Sequence, residues 1–112
     1  MGGEIVYLTT RKQFWKYMSN HSFIILKATA TWCKPCQKIK SHFMDLFTQM
    51  PPTVVLIILD IDKGKDLASY LRIKSVPQIM NFIKGEPQDC MAGANVNEMV
   101  RFFNKTLDRV NT

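Results

Sequence analysis

Ala30-Thr31-Trp32-Cys33-Lys34-Pro35-Cys36 joins two stretches of opposite periodicity, and the fold is read from that junction. Before it, Phe23 to Ala30 is a near-continuous apolar run broken only by Lys27 and Thr29, the pattern of a central strand covered on both faces. After it, Cys36, Ile39, Phe43, Leu46 and Phe47 recur at intervals of three and four, which predicts an amphipathic helix from Cys33 to about Met50, ended by Pro51 and Pro52. Only Thr31 and Trp32 separate the two, so Cys33 falls at a helix start. Unpaired amides and the positive end of the helix dipole stabilise an anion there, and Cys33 is expected to ionise more readily than a free thiol. Cys36 lies inside the first turn on the same helical face, in position to bond the sulfur of Cys33 and better shielded from water. Pro35 fits the first turn without losing a hydrogen bond and stiffens it.

On the N-terminal side, Glu4 to Leu8 reads as a short strand and Thr10 to Met18 as a helix with Phe14, Trp15 and Met18 on its apolar side. On the C-terminal side, Val54 to Ile61 is a β-branched strand and Lys65 to Leu71 a short helix, while Gln78 to Ile83 is a strand entered through Pro77. Lys84 and Gly85 supply a turn, and a weaker strand follows near Asp89 to Ala92. Asn95 with Glu98 resembles a capping box that opens a last helix burying Val96, Met99, Val100, Phe103 and Leu107. The order βαβαβαββα predicts an α/β sandwich with a parallel portion and an antiparallel final pair. With 112 residues, 46% of them hydrophobic and 11% aromatic, one domain spanning residues 1–112 is expected.

Met1 to Thr10 holds no apolar run behind a basic start, and nowhere do about 18 apolar residues follow one another, so neither a secretory leader nor a membrane span is expected. Gly2 is not read as a myristoylation site, because Val6 stands where that motif wants Ser or Thr. Three cysteines form an odd number and argue against a disulfide framework. The net charge of +6 favours acidic partners, yet Lys and Arg are scattered from Arg11 to Arg109 without a dense block or a nucleic-acid motif, so no nucleic acid is expected. Tetrahedral zinc would need two ligands beyond Cys33 and Cys36, and Cys90, His21 and His42 lack the paired spacing, so no metal is expected. Cys90 is read as a small half-buried apolar residue of the last strand and His42 as a solvated histidine. Asp60 and Asp62 are read as turn and helix-cap residues.

The stretch from Ala30 to Cys36 resembles the active-site segment of the thioredoxin family, with Lys34 where the family has glycine. The likeness continues through Asp60-Ile61-Asp62, Ser75-Val76-Pro77, Lys84-Gly85 and Gly93-Ala94-Asn95. It implies a thioredoxin-like fold, a central mixed β-sheet flanked by helices on both faces, with Pro77 in the cis form against the cysteine pair. It also implies that the main chain of Val76 pairs with the substrate backbone, inside a docking surface made of Trp32, Lys34, Pro35, Val76, Pro77 and Gly93. The implied activity is thiol/disulfide exchange that reduces protein disulfides: Cys33 attacks, a mixed disulfide forms, and Cys36 resolves it. The resemblance further implies no prosthetic group, a thioredoxin-reductase-type electron donor, and a cytoplasmic monomer serving cell redox homeostasis.

Two departures bear on the chemistry. Lys27 stands six residues before Cys33, where the family keeps a buried aspartate, and that residue's opposite number on the next strand aligns with Ile58. A lone buried ammonium is costly, so Lys27 is expected to be neutral, paired with an acid such as Asp60, or bent toward solvent. Lys27, Lys34 and Asp60 are thus candidates for tuning the thiols, with both lysines favouring the anionic dithiol and a less negative potential. Ser41 aligns with the family's kink proline, which predicts a straighter long helix. Two alternatives stay open: a more oxidising disulfide oxidase or isomerase, and a thioredoxin-fold binding or regulatory module whose cysteines are incidental.

Overall fold

The apolar run at the heart of the sequence forms the middle strand of a five-stranded sheet. In the computed structural model, which describes residues 1–112, the chain runs β1 (Ile5–Tyr7), α1 (Arg11–Asn20), β2 (Phe23–Thr29), α2 (Lys34–Thr48), β3 (Val54–Asp60), α3 (Lys65–Tyr70), β4 (Gln78–Ile83), β5 (Glu86–Ala92) and α4 (Val96–Val110). Strand order is β1-β3-β2-β4-β5. The β1, β3 and β2 strands are parallel, and β4 and β5 complete the sheet antiparallel to their neighbours.

Alternation along β2 and β3 sends side chains into two separate cores. Ile25, Leu56 and Ile79 pack against α2 and α4 through Ile39, Phe43, Phe47, Met99 and Phe103. On the other face Ile24, Leu26, Val55, Ile57 and Phe82 pack against α1 and α3 through Phe14 and Leu67. Helices therefore cover both faces, and α2 leaves the C-terminal edge of β2 with its first turn at the sheet's rim. No helix is long and apolar enough to cross a membrane.

Local chemistry sets the element ends. The α1 helix starts at Arg11 because the Thr10 side chain accepts from the Gln13 amide while the Gln13 side chain accepts in return from the Thr10 amide. At the turn between β4 and β5, Lys84 and Gly85 both have positive φ, 52° and 84°, which favours glycine at the second position.

The structure corrects several boundaries and faces. The β5 strand begins at Glu86 rather than near Asp89, because the turn itself delivers Glu86 opposite Ile83. On α4 the buried residues are Met99, Phe102, Phe103 and Thr106, while Val96 and Val100 are exposed. The Asn95 side chain does accept from the Glu98 amide as expected. Neither Asp60 nor Asp62 caps α3, whose N-cap is Gly64. Asp60 makes the turn, its Oδ1 accepting from the amides of Asp62 and Lys63.

Candidate active site

Cys33 is the N-cap residue of α2, and its backbone is still extended as it leaves the sheet. Its sulfur accepts a hydrogen bond from the Cys36 amide at 3.2 Å, so the side chain meets one of the amides that a helix start leaves without a partner. Pro35 occupies the first turn and needs no amide partner there. Cys33 and Cys36 are joined by a disulfide, with Cα atoms 5.3 Å apart. Both are buried, at 3% and 1% exposure, and they form a small cluster with Ala30, against which Ile61 and Val76 pack.

Three segments frame the pair. Trp32 is 65% exposed, and its indole N–H donates to the Asp62 carboxylate at 2.8 Å, which fixes the ring beside the disulfide. The Val76–Pro77 bond is cis, as the resemblance implied, and the Pro77 carbonyl accepts from the Gly93 amide at 2.9 Å. Gly93 has φ +97° and is exposed, with open space where a side chain would stand, a backbone turn that favours glycine. Lys34 and Pro35 are exposed and Val76 is half-buried, but Pro77 is buried. Ile61, which sequence reasoning did not single out, packs against the cysteine cluster, and Asp62 holds the Trp32 indole. The apolar residue directly after Asp60 was the only signal of Ile61.

Lys27 resolves differently from all three expectations. It is 5% exposed and lies opposite Ile58 and Ile79 in the sheet, with Nζ 4.9 Å from the centre of the Phe43 ring. It makes no ion pair with Asp60, so the expected pairing fails, and it is not bent out into solvent. Burial, and then the charge of Lys40, lower its pKa to about 8, which leaves it mostly charged at neutral pH. A cation over an aromatic face takes the place of the carboxylate that strand chemistry would suggest. Lys27, Lys40 and Asp60 line a half-open cavity of about 230 Å³ that also reaches Cys36, so the three charges share one hollow with the inner sulfur.

Cys90 lies apart from the pair on the edge strand β5 and is exposed, which corrects its reading as half-buried. The Gln78 amide donates to its sulfur at 3.5 Å. His42 is exposed on α2, as expected. No three His, Cys, Asp or Glu side chains converge to ligate a metal. The arrangement is thus two adjacent sulfurs, one holding a helix cap, under a partly apolar rim. Its chemistry is sulfur exchange.

Comparison with known proteins agrees with this geometry. The thioredoxin family model matches residues 5–105. The chain is similar to thioredoxin of Oryctolagus cuniculus, 33% identical over 84 residues, which span 75% of this chain and 79% of that protein. It is also similar to a thioredoxin H-type of Populus jackii, 25% identical over 111 residues, spanning 96% of this chain and 79% of that protein. The fold superposes on oxidised mitochondrial thioredoxin 3 of Saccharomyces cerevisiae with a TM-score of 0.83 at 23% identity, covering 90% of this chain and 94% of that one. A sheet with helices on both faces, a disulfide at the entry of α2 and a family match over nearly the full length lead to one assignment: the chain belongs to the thioredoxin family.

Proposed function

We propose that Cys33 is the attacking sulfur and Cys36 the resolving one in a protein-disulfide reductase. The family's reaction is dithiol reduction of protein disulfides, and the Cys33–Cys36 pair is the dithiol here. In the reduced protein the Cys33 thiolate attacks one sulfur of a substrate disulfide, forming a mixed disulfide and expelling the other substrate sulfur, which takes a proton. Cys36 then loses its proton and attacks the Cys33 sulfur. The second substrate thiol leaves, and the Cys33–Cys36 bond closes. Two electrons pass from the protein dithiol to the substrate, and an external donor must return them.

One observation carries the division of labour: the Cys33 sulfur is the cap of α2 and accepts the Cys36 amide, so a charge on it is stabilised by a group already in place. Cys36 has no such contact and lies deeper, beside the Lys27 cavity. We assign Trp32, Lys34, Pro35, Val76 and Gly93 to substrate docking, with Pro77 beneath them. Lys27 and Lys34 act as positive charges that favour the reduced, ionisable pair over the neutral disulfide, and Asp60 opposes Lys27 across the cavity. The donor is a thioredoxin-reductase-type flavoenzyme. The protein acts as a single-domain cytoplasmic monomer, with neither nucleic acid nor membrane among its partners.

The test is a Cys36→Ser variant incubated with insulin or a cell extract. It should accumulate mixed disulfides through Cys33 that dithiothreitol releases. A Cys33→Ser variant that still catalyses dithiothreitol-driven insulin reduction would overturn the assignment. Full biological activity in the double serine variant would favour the binding-module reading instead.

A further inference from the structure

We propose that the rim around Cys33 selects disulfides held in acidic protein segments, with Lys34, Lys38, Lys63 and Lys74 setting the preference. The proposal rests on the reductase reading above and narrows its substrate class. Each of the four lysines is exposed, and each is tied by the chain to a group at the disulfide. Lys34 is the first residue of α2, directly after Cys33. Lys38 follows one turn later on the same helical face. Lys74 precedes Val76, which packs against the sulfur cluster, by two residues. Lys63 follows Asp62, whose carboxylate holds the Trp32 indole.

These ammonium groups have no carboxylate partners within the protein. Only two ion pairs form in the chain, Arg11–Asp66 and Arg109–Asp89, and neither involves a rim residue. The two acids at the rim are both committed: Asp60 accepts two loop amides, and Asp62 accepts the indole N–H. Glu98, in the first turn of α4, lines a separate hollow with Arg101 and Lys105. Four exposed lysines without carboxylate partners therefore lie within a few residues of the segments that frame the disulfide, against two tethered carboxylates, within a molecule whose net charge is +6.

The division of work follows from the chemistry of the surface. Trp32, Pro35 and Val76 offer apolar contact that any extended segment can use, so they discriminate little. Charges of one sign around the reactive sulfur raise the encounter rate of opposite charges and repel like ones, over a range of about 8 Å at physiological salt. Acidic residues flanking the substrate disulfide meet this ring, and basic flanks are disfavoured by the same field.

The experiment uses pre-reduced protein in single turnover against three disulfide-linked synthetic peptides that differ only in flanking residues: glutamate, glutamine or lysine. Reduction rates should fall in that order, with a spread of about tenfold at low ionic strength that shrinks as salt is added. In a Lys38→Glu, Lys74→Glu variant the order should compress or invert, while circular dichroism confirms the fold. Equal wild-type rates on the three peptides, or a spread indifferent to salt and to the double substitution, would overturn the acidic preference and leave the reductase reading standing. Failure to reduce any of the three peptides would overturn both.

Discussion

Replacing Lys27 with methionine isolates the cost of keeping an ammonium inside the sheet. Lys27 is 5% exposed, and burial together with the charge of Lys40 lowers its pKa from 10.5 to about 8. In the unfolded chain the same amine titrates near its ordinary value. Between about pH 8 and pH 10.5 the folded lysine is therefore neutral while the unfolded one is charged, and folding releases a proton. Stability from this group is fully present above pH 10.5, falls as the pH drops, and is gone below about pH 8. Taken whole, the difference corresponds to about 3 kcal/mol at ~1.4 kcal/mol per tenfold change. The side chain borders a solvent-reached cavity, and screening there reduces the figure to about 1–2 kcal/mol. The assay is urea unfolding of wild type and Lys27→Met from neutral pH to pH 10.5, with the disulfide closed so that neither motif thiol titrates. Other lysines and the tyrosines titrate in both proteins, so the informative quantity is the difference between them. That difference should move by about 1–2 kcal/mol in favour of wild type as the pH rises. The Phe43 contact needs the charged amine, so it fades in wild type over the same pH range and subtracts from the rise without reversing it. A difference that stays flat from pH 7 to pH 10.5 would refute the buried-charge account.

The other predictions bear on the sulfurs and on the far end of the sheet. Lys34→Gly removes the positive charge next to Cys33 and should make the reduction potential more negative by about 30 mV, read by thiol equilibration; no shift removes Lys34 from the tuning set. Asn81→Ala should lower stability by about 2–4 kcal/mol, measured by urea unfolding, because it strips the Asp89 amide and the Thr106 hydroxyl of their shared buried partner; a loss under about 0.5 kcal/mol would mean the network re-forms around the gap. In the oxidised protein Cys90 alone should take up iodoacetamide, one label per chain. Although the residue is exposed, desolvation of its sulfur by the surrounding chain raises its pKa, so the labelling rate should keep climbing above pH 9, and a plateau below pH 8 would contradict that shift.

How much of this was legible depended on whether local chemistry or tertiary placement decided the outcome. The α2 entry could be read because periodicity switches within two residues and the thiols sit at the switch. The bounds of β4 were recovered because Pro77 precedes it and the Lys84–Gly85 turn follows it. The first half of β5 was hidden: Glu86, Pro87 and Gln88 face solvent on an edge strand, where no apolar alternation is required. Val96 and Val100 look like core residues on helical spacing alone. The docking of α4 instead buries Phe102 and Thr106, the latter because its hydroxyl meets Asn81. Within the site, the pairing of Cys33 with Cys36 at the helix start and the cis bond before Pro77 were foreseen. The environment of Lys27 was not, because its partner is the ring of Phe43, and searching for a carboxylate could not find it.

The sulfur of Cys33 also terminates a helix, and that double duty shapes the energetics of turnover. Its contact with the Cys36 amide lies within the first turn of α2, and the expectation that follows is a frame that stays in place when the bond between the sulfurs opens. Each cycle then changes where charge resides rather than where the backbone lies. A catalyst built this way can pass electrons to differently shaped clients without rebuilding itself between them.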